Sequence, residues 1–253
     1  MIDLHCHLLP AVDDGPTTLE ESLAMARLAR EDGIHTIVVT PHAREWEQRC
    51  PHPDLPTALD EAIHALQQRL RESGIDLELV PGMEVDLDEA LSVRLQDGRA
   101  RPLGCGPYVL IELPFLGYAH YIDQAIFQAQ VAGWRPVLAH VERYVYFQKQ
   151  PKLLEALVQR GVLAQISAPS LLGDLGAAAR GTALRFLRRG LVHCLATDAH
   201  GSFGVRAPLL SSAVSLAAHF LGKERAEAMV KTVPERILAG KSVDEVLAPL
   251  GLG

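Results

Sequence analysis

The strongest constraint on the fold is an alternation. Short apolar runs rich in β-branched residues fall at 2–5, 35–40, 77–85, 108–113, 135–141, 162–167 and 191–200. Amphipathic stretches of helical length fall between most of them, as in TTLEESLAMARLAREDG (17–33), TALDEAIHALQQRLRESG (57–74), YIDQAIFQAQVAG (121–133), PKLLEALVQRG (151–161) and GAAARGTALRFLRRG (176–190). Thr17 or Thr18 caps the first helix and Gly33 stops it. Residues 86–104 read as a short helix and loop, 51–56 as a proline-rich loop, and the chain from about Ala207 as helical. Strand–helix alternation argues for a parallel sheet with helices outside it. Seven such units in 253 residues fit an α/β fold of the closed or nearly closed β/α barrel kind, as a single domain over 1–253. A doubly wound open sheet is the second choice, weakened because no GxGxxG follows the first strand.

The polar residues collect at the ends of the apolar runs. His5 and His7 close the first, His42 follows the second, and Glu84 and Glu112 end the third and fourth. His140 ends the fifth, and Asp198 and His200 end the last; only the sixth, AQIS, ends otherwise, in Ser167. In a parallel β/α barrel all strand C-termini open on one face, so these residues converge. Strand parity puts His5 and His7 on the same side, roughly 7 Å apart at Cα, with Cys6 pointing away. Asp14 lies in the loop after the first strand, on the same rim. Singly, HxH, TPH or a Glu at a strand end is ordinary, and Asp13-Asp14-Gly15-Pro16 alone reads as a turn with a helix start. Together they bring five of the eleven histidines and four acids to one mouth. His35, His52, His64, His120, His193 and His219 have no place in this pattern. Nine nitrogen and oxygen ligands exceed what one ion takes and suit two or three divalent ions; with no thiolate offered, zinc, iron or manganese fits.

Composition narrows the chemistry further. A formal charge of −7 argues against a nucleic-acid binder, and no apolar run is long enough to span a membrane. The first residues are acids and histidines rather than a secretory leader, so the expected location is cytoplasmic. Cys6, Cys50, Cys105 and Cys194 form no CxxC pair. A cysteine phosphatase needs an arginine six positions after its nucleophile; here those positions hold Val12, Pro56, Ile111 and His200.

HCHLLPAVDDG, TPH, PGMEV, LIEL, HVERY and TDAH, in that order, resemble the polymerase and histidinol phosphatase (PHP) family. Within it the match is to the bacterial metal-dependent protein tyrosine phosphatases linked to capsule and exopolysaccharide synthesis. The resemblance runs from residue 1 to about 240 and is most specific in DDGP, LIEL and HxERY. It implies a distorted (β/α)7 barrel of the PHP type with up to three ions, Mn²⁺ first among them. By motif, His5, His7, Glu84 and Asp198 hold one ion; Glu84, Glu112 and His140 a second; Asp14, His42 and His200 a third. It also implies that Arg143 and Arg206 bind the phosphate. The implied substrate is a phosphotyrosine protein, the tail of a membrane tyrosine kinase. The chemistry is consistent: clustered cations lower the pKa of bound water from 15.7 toward about 7 and neutralise phosphoryl oxygens. The alternative is a small-molecule phosphomonoesterase of the same fold, such as a histidinol phosphatase. A metal-dependent exonuclease fits the acidic charge less well.

Overall fold

Each apolar run forms a strand and each amphipathic run a helix. The computed structural model describes residues 1–50, 54–115 and 117–252, so Pro51, His52 and Pro53 of the expected proline-rich loop lie outside the described residues. The first half runs β1 (Ile2–Cys6), α1 (Leu19–Glu31), β2 (Thr36–Val39), α2 (Ala43–Arg49), α3 (Leu55–Glu72), β3 (Glu78–Pro81), β4 (Glu84–Asp86), α4 (Leu91–Gln96) and β5 (Tyr108–Glu112). There follow α5 (Tyr121–Val131), β6 (Arg135–Leu138), α6 (Val145–Lys149), α7 (Pro151–Gln159), β7 (Leu163–Ser167), α8 (Ala168–Leu172), α9 (Ala177–Arg188) and β8 (Cys194–Ala196). The C-terminal part is helical, in α10 (Ser211–Leu221), α11 (Lys223–Ala228), α12 (Thr232–Leu238) and α13 (Val243–Leu247). Thr18 caps α1 by accepting from the Glu21 amide, and Gly33, at φ 91°, follows its end. No helix among the described residues is long and apolar enough to cross a membrane.

All strand pairs are parallel, in two sheets ordered β1-β2-β3 and β4-β5-β6-β7-β8. Single bridges link their edges: Cys6 with Ala199, and His42 with Glu84. The amide of His7 donates to the Ala199 carbonyl at 2.9 Å, and that of Asp198 to the His5 carbonyl at 2.9 Å. Asp3, fully buried, adds a side-chain staple between β1 and the end of β8. Its Oδ1 accepts from the Thr197 amide at 3.0 Å and its Oδ2 from the Thr197 hydroxyl at 2.5 Å. Burial, opposed by those donors, raises the Asp3 carboxyl to about 6. One hydrophobic cluster runs through the interior from Ile2 to Leu250.

Three expected strands are reshaped. The run 77–85 is broken at Gly82-Met83 into β3, which pairs with β2, and β4, which pairs with β5. Gly82 packs tightly against its neighbour: a Cβ there would stand 2.7 Å from Val38 Cγ1. The run 135–141 ends as strand at Leu138, and His140 turns the chain with φ 33° into a 3₁₀ turn over Val141–Arg143. The run 191–200 is strand only over Cys194–Ala196, and Asp198 has φ 52°. Hydrophobic patterning reports which side chains are buried; it does not report the sign of φ.

Candidate metal centre

β1 carries His5 to the C-terminal face of the sheets, and His7 follows one residue beyond it. Their Nε2 atoms stand 3.1 Å apart, and Glu84 Oε2 lies 3.2 Å from the first and 3.3 Å from the second. The tautomers explain what this geometry needs. His5 Nδ1–H donates to Gln165 Oε1 at 3.2 Å, and that oxygen also accepts from the His140 amide at 3.0 Å. His7 Nδ1–H donates to Asp13 Oδ2 at 2.7 Å. In each neutral ring Nε2 is then the lone-pair nitrogen. Two ring nitrogens 3.1 Å apart over a carboxylate call for a positive charge between them, a proton on His7 Nε2 or a cation in its place.

Three groups of ligand atoms lie within 4.8 Å of one another: His5, His7 and Glu84; Glu84, Glu112 and His140; and His7, Asp14, His42 and His200. Asp198 borders the first, with Oδ1 at 3.5 Å from His5 Nε2. All nine residues expected at the mouth are therefore brought together, with Glu84 shared between two groups. His140 Nε2 stands 3.0 Å from Glu84 Oε1 and 3.4 Å from Glu112 Oε1. His200 Nδ1–H donates to the Asp198 carbonyl at 2.9 Å, leaving Nε2 facing Asp14 Oδ1 at 3.0 Å. Most of these side chains are buried; Asp14 is the exposed one.

Arg143 and Arg206 close the mouth, a cavity of about 240 Å³. Arg143 Nη1 donates to Asp198 Oδ2 at 3.0 Å. Arg206 Nη2 donates to Asp198 Oδ1 at 3.1 Å and to His200 Nε2 at 2.8 Å. The Arg206 carbonyl accepts from the amide of His200 at 3.0 Å, which folds the 201–206 loop back on the site.

The electrostatics follow from the crowding. Asp14, Glu45, Glu84, Asp86, Glu112 and Asp198 line the mouth with Arg44, Arg143 and Arg206, six acids against three guanidiniums. Burial opposes charge on His7, but Asp13 and Glu84 outweigh it and raise the ring to about 10. Burial likewise opposes charge on His140, and Glu112 and Glu84 raise it to about 10. Burial would raise Asp198, yet the field of His5 and His140, with Arg206, holds it at about 2. Glu84 is buried too, and the surrounding histidines hold it well below the usual range. Carboxylates that force protons onto imidazoles are equally a site for divalent cations, which replace those protons.

Three supporting residues escape a reading of strand ends. Asp13, taken from sequence as part of a turn, is buried and accepts from His7 and from the His42 amide at 3.1 Å. Gly15 lets it approach, since a Cβ there would stand 2.9 Å from Asp13 Oδ1. Gln165, mid-strand in β7, orients His5 and the His140 backbone. Asp3 also accepts from the His5 amide at 3.3 Å. Parity carries a signal for Asp3, two residues before His5; a glutamine inside an apolar strand is the signal for Gln165. Among the described residues, the non-glycine ones with positive φ are Ala11, His140 and Asp198, all in the segments that form this mouth.

Fold and mouth together define an α/β protein whose acids and histidines cluster, with the spacing of metal-ligand sets, beneath two arginines. The model of the capsular polysaccharide synthesis family CpsB/CapC matches residues 1–239, and the chain belongs to that family. It is 37% identical over 200 residues to the tyrosine-protein phosphatase YwqE of Bacillus subtilis, covering 79% of this chain and 77% of YwqE. It is 29% identical over 231 residues to the tyrosine-protein phosphatase CpsB of Streptococcus agalactiae, covering 89% and 93%. Among solved structures it matches one from work on YwqE of B. subtilis and CpsB of Streptococcus pneumoniae, described as unique metal-dependent tyrosine phosphatases. That match has a TM-score of 0.88 at 32% identity and covers 96% of both chains.

Proposed function

We propose that the chain is a metal-dependent protein tyrosine phosphatase, a single-domain distorted (β/α)7 barrel acting in the cytoplasm. Its substrate is a phosphotyrosine protein, the tail of a membrane tyrosine kinase that controls capsule or exopolysaccharide synthesis. The observation that carries the reading is the pair of Nε2 atoms 3.1 Å apart over Glu84, beneath two arginines. The bridges at Cys6–Ala199 and His42–Glu84 support the barrel form. The family and the named relatives support the activity.

The residues fit two or three divalent ions, with Mn²⁺ the first choice. His5, His7, Glu84 and Asp198 hold one, Glu84, Glu112 and His140 a second, and Asp14, His42 and His200 a third. When bound, such ions supply Lewis acidity and an activated water. The protein does the rest by position. Asp13 and Gln165 fix the His7 and His5 tautomers, so each Nε2 presents a lone pair. Arg143 and Arg206 present guanidinium donors to phosphoryl oxygens as charge spreads over them. Both now rest on Asp198, and Arg206 also on the His200 nitrogen, so each has alternative acceptors when a phosphoryl group arrives. A tyrosine leaving group, with a pKa of about 10, needs little protonation to depart.

The test is removal and return of metal. Excess EDTA should abolish hydrolysis of a phosphotyrosine peptide, and Mn²⁺ should restore it more fully than Mg²⁺. His5→Ala should lose metal together with most turnover. Full activity in EDTA would rule out the metal mechanism.

A further inference from the structure

Phe115, Tyr118 and Tyr121 follow the Glu112 position, Tyr144, Tyr146 and the buried Phe147 follow His140, and the structure sorts them by what they touch. Tyr144 and Tyr146 are buried. Tyr118 is committed to Asp123, donating to its Oδ2 at 3.0 Å, and Tyr121 donates to the Leu87 carbonyl at 3.2 Å. Phe115 differs: 43% of it is exposed, and it lies against the mouth. Its ring is nearly parallel to that of His140, at 19° and 5.8 Å between centroids. Arg143 Cζ stands 5.3 Å from its centroid, and the buried Tyr144 ring braces it at 5.0 Å. The chain leaving β5 is pinned there, since the Leu113 amide donates to the Tyr144 hydroxyl oxygen at 2.8 Å.

Phe115 also lines a second cavity of about 310 Å³ beside the mouth. The two cavities share Arg44, Asp86 and Glu112 as a common wall. Beyond that charged wall the second cavity is lined by Leu87, Asp88, Leu113, Pro114, Phe115 and Tyr121, so aromatic and apolar side chains stand beside charged ones. The shared wall sets the second cavity beside the part of the mouth that Glu112, His140 and Arg143 line.

We propose that this annex is the leaving-group site and that Phe115 is its specificity residue, taking the aryl ring of an aryl phosphate by stacking. The ring extends a surface that His140 and Arg143 already orient, so selectivity for an aromatic ester is coupled to phosphoryl placement. Alkyl phosphates lack the ring and draw nothing from it. The proposal deepens the phosphatase reading and rests on it.

The experiment compares Mn²⁺-loaded wild type, Phe115→Ala and Phe115→Tyr. Two ratios are read: kcat/KM for a phosphotyrosine peptide over a phosphoserine peptide, and affinity for phenylphosphonate over methylphosphonate. An aromatic contact of ordinary strength corresponds to a fall of about five- to tenfold in each ratio for Phe115→Ala, with the first carried by KM. Phe115→Tyr should restore both. Ratios within twofold of wild type would overturn the assignment. So would loss of metal from Phe115→Ala, which would make the ring a brace for His140 instead. Wild type that hydrolyses no phosphomonoester would remove the phosphatase reading, while the phosphonate ratios would still decide whether Phe115 binds an aryl ring.

Discussion

At the scale of single residues the site is governed by which nitrogen carries the proton. Asp13 takes the Nδ1 proton of His7 and Gln165 that of His5, so the metal-facing nitrogens are decided outside the ligand set. Asp13→Asn should therefore weaken metal binding by about 10- to 100-fold, the usual cost of losing such a partner, as read by competition with a chelating dye. The acids that raise His7 and His140 to about 10 also set a pH dependence. In the metal-free protein both rings hold protons at neutral pH, and a cation must expel them. Affinity should rise with pH from 6 to 9, by up to about tenfold per unit for each proton released. Calorimetry in buffers of different ionisation enthalpy counts those protons; an affinity flat over this range would contradict the account. Arg143→Ala should cut turnover by about 100-fold while metal content stays intact, as follows from the proposed role of its donors at the phosphoryl oxygens. The convergence of the nine expected positions on one mouth was legible because an acid or histidine ending an apolar run has few packing explanations. Asp13 was not legible as a partner, because a turn explains it locally; Gln165 carried the signal of a glutamine inside an apolar strand, which does not say what it orients.

Elements account for how such distant residues meet. Parallel pairing sends the C-terminal ends of β1, β2, β5, β6 and β8 to one face. The departures from regular strand then fine-tune direction: His140 at φ 33° and Asp198 at φ 52° turn side chains back over the mouth. The strand–helix alternation was readable from hydrophobic spacing. The division of 77–85 into β3 and β4 was not, because it arises from close packing between neighbours. Gly82 makes that packing possible and stands two residues before Glu84. Gly82→Ala would press a methyl against Val38 Cγ1 at 2.7 Å and Leu103 Cδ2 at 3.2 Å. Overpacking of this kind costs about 1–3 kcal/mol, so Tm of the metal-free protein should fall by several degrees. Unchanged Tm would mean the two segments have more room than the contact distances allow.

For the molecule as a whole, the concentration of acids at one mouth makes stability a readout of the proposed metal binding. Cations bind the assembled cluster and have little hold on the unfolded chain. Saturation at 100 times Kd is worth about 2.7 kcal/mol, so Mn²⁺ should raise Tm and EDTA should reverse the rise. The chain's formal charge of −7 does not prevent binding of an anionic ester, since bound cations reverse the field where the phosphoryl group sits. The most direct test of the central claim is a substrate comparison with the Mn²⁺-loaded protein. The measurement is kcat/KM for a phosphotyrosine peptide, a phosphoserine peptide and histidinol phosphate, each repeated in EDTA. The account predicts a clear preference for phosphotyrosine that vanishes with the metal. A preference for histidinol phosphate, or turnover that survives EDTA, would contradict it.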